Sequence, residues 1–106
     1  MNICSCNCDL LDIKSTESLL AMAKTLSTET KLKILLILLG REHCVCEIQN
    51  CLEKEQSLVS HHLSDLVETD WIKQRKGKDA RQIFYSLTKD GLKKLQTFLK
   101  AGGVKK

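Results

Sequence analysis

The stretch EHCVCEIQNC, residues 42–51, sets three cysteines into what otherwise reads as the start of a short amphipathic helix, and a second cluster, MNICSCNCD, opens the chain. Thiolates bind soft or borderline metal ions because sulfur is polarizable. A tetrahedral zinc site holds its sulfurs about 2.3 Å from the metal, hence under about 4 Å from one another. That requirement sorts the candidates. Cys44 and Cys51 share a helical face, but seven residues at about 1.5 Å rise separate them by about 10 Å, too far to hold one ion. Cys44 and Cys46 are about 200° apart on an ideal helix, so they chelate together only where the helix begins irregularly, which a first-turn position after Gly40 permits. Cys51, on the inner half of the helix, reads as core, as free cysteines often do. His43 reads as a solvated helix-start histidine in preference to an extra ligand. Two sulfurs make an incomplete site. Cys4, Cys6 and Cys8 alternate on a segment with no helical or core pattern, and such an arm can fold over the helix to supply the rest. Which of the three take part is open on spacing.

The elements that must position these groups are mostly helices. A chain of 106 residues with 42% hydrophobic side chains is expected to fold as one domain. Its longest apolar run, residues 34–39, is far below the roughly 20 residues needed to cross a bilayer, and no secretory leader is visible. A soluble, cytoplasmic protein with no membrane partner and with reduced thiols is expected. Charge is uneven. Residues 1–70 carry six Lys/Arg against eleven Asp/Glu, a net −5, and residues 71–106 carry eleven against two, a net +9. The basic end suits a polyanion, although a solvated lysine-rich surface has the same composition.

Leu19, Met22, Ala23 and Leu26 recur at helical spacing, as do Leu32, Leu35, Leu36 and Leu39. Ser27 or Thr28 can cap the second of these helices and Gly40, tolerant of the left-handed conformation, can end it. Ile34, Ile37 and Leu38 widen its apolar face, so it is expected to be buried nearly all round. Val45, Ile48 and Leu52 mark a third helix. A fourth begins near Ser57, with Val59, Leu63, Leu66 and Val67 on one side and Ser57, Ser60, His61 and Ser64 on the other. The period then changes: residues 71–75, a turn KGKDA at 76–80, and residues 81–87 with Ile83, Tyr85 and Leu87 alternating predict a hairpin. It carries Lys73, Arg75, Lys76, Lys78 and Arg81 against one acid, Asp79. Thr88 can cap a last helix with Leu92, Leu95, Phe98 and Leu99 on its apolar side.

A helix, a short turn, a polar-faced helix and a basic hairpin, in that order, predict a mainly α fold with a β-hairpin, the winged helix-turn-helix. In that fold the second helix of the pair enters the major groove, where short Ser, Gln and His side chains reach base edges, and the hairpin lies along the phosphates. Lysine and arginine there supply salt-sensitive, sequence-independent affinity for double-stranded DNA.

The blocks AKTLSTETKLKILLILL, HCVCEI, QSLVSHHLSDL and FYSLT resemble successive segments of the ArsR/SmtB family of metal-responsive repressors, in register over roughly residues 15–100. The resemblance implies a homodimer that pairs through its terminal helices, blocks transcription of detoxification genes and leaves its operator when a toxic metal binds. It places Gln56, Ser57, Ser60, His61 and His62 on the recognition helix. Ser64 on the same helix, with Arg75, Lys76, Lys78 and Arg81 on the wing, completes the candidate DNA contacts. His62 lies at about 300° from Val59 and flanks the apolar face, so packing or capping suits it better than reading a base. Family members that sense cadmium, lead or zinc at this helix join the CVC pair to two arm cysteines across the dimer, a spacing that Cys4 and Cys8 match, with Cys6 additional. The candidate metal ligands are thus Cys4, Cys6, Cys8, Cys44 and Cys46, and Cd(II), Pb(II) or Zn(II) is the expected inducer. Arsenic-sensing members carry a third cysteine where this chain has Gln49. As(III) or Sb(III) is therefore the alternative, with Cys6 or Cys8 completing the site. A second family site, on the last helix, needs histidine, and His43, His61 and His62 all precede that helix.

The expected organisation is a cysteine-rich arm over residues 1–14, a DNA-binding domain over 15–101 and a basic tail over 102–106. The expected mechanism couples two sites: an ion ties the arm to the third helix and moves the recognition helices out of the spacing of two DNA half-sites. A thiol redox or persulfide switch on the same winged helix is the other class to carry. No enzyme is expected, because no paired acid and base, or nucleophile with its base, can be placed in a cleft.

Overall fold

A computed structural model describes residues 16–79 and 81–102, so the expected arm with Cys4, Cys6 and Cys8, and the tail from Gly103 onward, lie outside the described residues. Thr25 is the buried residue of helix α1 (Thr16–Ser27). Met22 and Leu26 pack half-buried against the core, whereas Leu19 and Leu20 are 60% and 54% exposed. Helix α2 (Glu29–Leu38) follows at once. The Ser27 and Thr28 hydroxyls both donate to the Lys24 carbonyl, at 3.1 and 2.9 Å. They therefore close the end of α1 and do not cap the start of α2, where Thr28 holds the N-cap position without a side-chain bond. Helix α2 buries Ile34, Leu35 and Leu38 but leaves Leu36 40% exposed, so it is covered on one side and not all round. Gly40 after it does not take up the left-handed conformation, because α2 closes through the Leu39 N–H on the Leu36 carbonyl.

A two-residue strand, β1 (His43–Cys44), precedes helix α3 (Val45–Leu52), which a left-handed Glu53 ends, φ 55°. Helix α4 (Gln56–Glu68) packs on α2 and α3 through Val59, Leu63 and Leu66. Its end is a Schellman motif: Asp70 N–H reaches the Val67 carbonyl, Trp71 N–H reaches Leu66, and Asp70 adopts φ 65°. That reversal starts β2 (Ile72–Lys76), which pairs antiparallel with β3 (Ile83–Leu87), and β1 joins on the far edge to give the order β1-β3-β2. The hairpin strands begin one to two residues later than expected. Its tip is held by Gly77 N–H on the Gln82 carbonyl at 2.8 Å and Gln82 N–H on Asp79 at 2.9 Å.

Helix α5 (Lys89–Ala101) is capped as expected by Thr88, whose hydroxyl accepts from the Gly91 N–H at 2.9 Å. The same hydroxyl donates to the Asp70 carbonyl at 2.8 Å, so the α5 cap is fastened to the root of β2. One core unites these parts: Ile34, Leu35, Leu38, Ile48, Val59, Leu63, Leu66, Trp71, Ile72, Leu95 and Leu99. No helix among the described residues is long and apolar enough to cross a membrane.

Candidate nucleic-acid interface and thiol pair

Helix α4 turns Val59, Leu63 and Leu66 into the core and carries small polar groups on the opposite face, with Leu58 also 41% exposed. Gln56, Ser57, Ser60, His61 and Ser64 are all exposed on it. One carboxylate on α4 links that face to α2: Asp65 pairs with Lys31 of α2 at 3.3 Å, and the His61 Nε2 lies 3.6 Å from the same carboxylate. His62 is half-buried, and its Nδ1 is enclosed without a hydrogen-bond partner among the described residues. Burial, then the Lys31 charge, pushes its pKa down from the ordinary imidazole value. A neutral ring turned toward the core at the α2 side of α4 fits packing better than contact with a base.

The wing leaves the body quickly. Ile72 is buried and the next four residues of β2 are exposed. Lys73, Lys76, Lys78 and Arg81 are exposed there and make no side-chain ion pair among the described residues. Arg75 differs. Its guanidinium donates through Nε to Glu42 at 3.0 Å and through Nη2 to the other oxygen of the same carboxylate, and it lies 4.6 Å from the centre of the Phe84 ring. All ten candidate DNA-contacting residues except His62 are therefore exposed, but Arg75 already has a partner.

The thiol segment is built differently from the expected helix start. Cys44 belongs to β1, extended at φ −86° and ψ 165°, with Phe84 opposite it, and it is also the N-cap of α3. Cys46 is the second residue of the helix proper. The pair thus straddles a strand-to-helix junction, the irregular start that the spacing argument required. Glu47 fixes this junction by accepting the Cys44 N–H at 3.1 Å and by pairing with Arg41 at 3.4 Å. Those two bonds hold its carboxyl below the ordinary range. Cys44 is half-buried, and Cys46 and Cys51 are exposed, all three as free thiols.

Cys51 is therefore not core. With Ile48 as the buried centre of α3, Val45 and Leu52 fall to one side at about +60° and +40°, and Cys51 falls to the other at about −60°, where its side chain is exposed. His43, half-buried, has Nδ1 2.9 Å from the Arg41 carbonyl. Among the described residues no three Cys, His, Asp or Glu side chains converge on a point that could hold a metal ion. Cys44 and Cys46 have the right chemistry for a soft ion and the wrong number, and Cys4, Cys6 and Cys8 lie outside the described residues.

Glu42 carries no signal of its role in the sequence. Its link to Arg75 joins residues 33 apart, and no local pattern signals it.

The family model described as bacterial regulatory protein, arsR family, matches residues 28–73. A cadmium resistance transcriptional regulatory protein CadC homolog from Staphylococcus aureus is 37% identical over 73 residues, 68% of this chain and 59% of that protein. The chain thus spans about three fifths of that relative. The transcriptional activator HlyU from Vibrio cholerae is 32% identical over 80 residues, covering 76% of this chain and 72% of HlyU. A solved structure of HlyU from Vibrio cholerae superposes with a TM-score of 0.72 at 28% identity, over 83% of this chain and 95% of that one.

Proposed function

This chain belongs to the arsR family of bacterial regulatory proteins, and from that premise we propose that it is a repressor that binds operator DNA as a homodimer and lets go when its thiolates take a soft metal ion. One observation carries the DNA half: the exposed polar face of α4 stands beside a wing whose Lys73, Lys76, Lys78 and Arg81 are unpaired among the described residues. In this reading Gln56, Ser57, Ser60, His61 and Ser64 meet base edges in the major groove, and Lys76, Lys78 and Arg81 meet phosphates. A second copy would cover Leu19, Leu20 and Phe98, which stand 60%, 54% and 41% exposed on α1 and α5. Between those helices runs an open groove of about 310 Å³, lined in part by Met22, Leu26 and Phe98.

The thiol half rests on Cys44 and Cys46 at the strand-to-helix junction, with two of Cys4, Cys6 and Cys8 completing the ligand set. Cadmium, lead or zinc is favoured over arsenite or antimonite because Gln49 stands where the arsenic-sensing members carry a third helix cysteine. Whatever factor the ion takes from operator affinity, DNA takes from ion affinity. A thiol redox or persulfide switch is the second reading, favoured by the exposure of Cys46 and Cys51. Fluorescence anisotropy tests the first. With a duplex from upstream of the chain's own coding sequence, kept in reductant, binding that cadmium abolishes supports it. Binding that responds only to oxidant favours the second.

A further inference from the structure

Of the five cations on the wing, Arg75 alone has a carboxylate partner among the described residues, and that carboxylate belongs to the thiol segment. Glu42 sits two residues before Cys44. Phe84, on which the Arg75 guanidinium stacks, is the cross-strand partner of both Arg75 and Cys44. Exposed ion pairs usually contribute little, but a planar fork bound through two nitrogens and laid on an aromatic ring is the geometry that holds best.

We propose that Glu42 is a positioning residue for the wing: it holds Arg75 away from DNA phosphates and so withholds one of the wing's five cations. The inference rests on the reading that the wing binds DNA. It makes the charge presented to DNA depend on the placement of residues 42–44, the segment that ends in Cys44. Arg41 donates to the Glu42 carbonyl at 2.9 Å and pairs with Glu47, so the acid and the α3 junction are tied to each other as well.

The salt dependence of binding to a fluorescein-labelled, mixed-sequence duplex about three helical turns long counts phosphate contacts without an operator. Wild type, Glu42→Gln, Arg75→Gln and the double variant are compared. Both residues are partly exposed, so none of these variants threatens folding. Glu42→Gln is expected to steepen the slope of log K against log salt by about 0.9 per wing engaged. Its affinity gain over wild type then shrinks about three- to fourfold per wing between about 50 and 200 mM salt. Arg75→Gln alone is expected to leave the slope unchanged, and the double variant to return to it. Three results overturn the inference alone: an unchanged slope in Glu42→Gln, a loss of about 0.9 in Arg75→Gln by itself, or a gain that survives in the double variant, which would mark simple removal of a negative charge. Salt-independent binding by wild type overturns the DNA reading and the inference with it.

Discussion

Replacing Gly91 by alanine puts a methyl carbon 2.2 Å from the Trp71 carbonyl oxygen and 3.0 Å from its carbon, both backbone atoms. Neither can swing aside as a side chain would. The first turn of α5 must instead back away from the root of the wing by most of an ångström. That motion stretches the Thr88 N–H bond to Trp71 at 3.1 Å and the Thr88 hydroxyl bond to Asp70 at 2.8 Å. Overpacking costs about 1–3 kcal/mol and a weakened cap about 1, offset by about 1 gained from alanine's better helix propensity. The net expectation is a loss of about 1–3 kcal/mol, a sizeable part of a small domain's stability. Urea unfolding followed by circular dichroism at one fixed protein concentration reads it as a lower midpoint at unchanged slope. Gly40→Ala is the matched control. No other described residue beyond its chain neighbours lies within 4 Å of the added carbon and the backbone there is not left-handed, so it should be neutral or slightly stabilising. If Gly91→Ala proved as harmless as Gly40→Ala, the close approach of α5 to the wing root would not be what the geometry says it is.

Other outcomes follow from the same structure. Lys78→Gln, at the exposed wing tip, should make the slope of log K against log salt shallower by about 0.9 per wing engaged, and an unchanged slope removes Lys78 from the phosphate contacts. The pKa of His62 is pushed below its ordinary value of 6.5 in the folded chain, first by burial and then by Lys31, so the unfolded chain takes up that proton first. Stability should therefore fall as pH drops from about 6.5 toward the folded value, and His62→Gln should flatten that limb; an identical pH dependence in the variant refutes the assignment. Leu19→Glu places a charge on the exposed face of α1 and should shift the sedimentation of the proposed homodimer toward monomer, whereas unchanged sedimentation would remove Leu19 from the proposed contact.

The parts of the fold that repeat were legible in the sequence. Val59, Leu63 and Leu66 recur at the helical period, and the same wheel that buries them exposes Ser57, Ser60, His61 and Ser64. Thr88 was legible as a cap because its hydroxyl acts on the N–H of Gly91, three residues on. What was not legible depends on residues distant in sequence. A strand as short as β1 has no period of its own, and only its pairing with Tyr85 and Phe84 makes His43 and Cys44 extended. That pairing moves Cys44 out of the helix and makes an irregular junction between Cys44 and Cys46, which no local spacing reveals. Cys51 failed for a related reason: α3 has eight residues, and its one fully buried side chain, Ile48, leaves little core to share with the last turn. Ser27 and Thr28 have the composition of a cap for α2, yet their hydroxyls bond backward to the Lys24 carbonyl, a choice that local composition does not distinguish.

The central claim is that thiolates at the β1–α3 junction control DNA binding, and cadmium titration of the reduced full chain bound to its upstream duplex tests it most directly. Ultraviolet thiolate-to-metal absorption and DNA anisotropy are followed together. For wild type, absorption and DNA release should rise in step, and Cys44→Ser or Cys46→Ser should diminish both while Cys51→Ser changes neither. Cadmium absorption that saturates while anisotropy stays at its DNA-bound value would contradict the account.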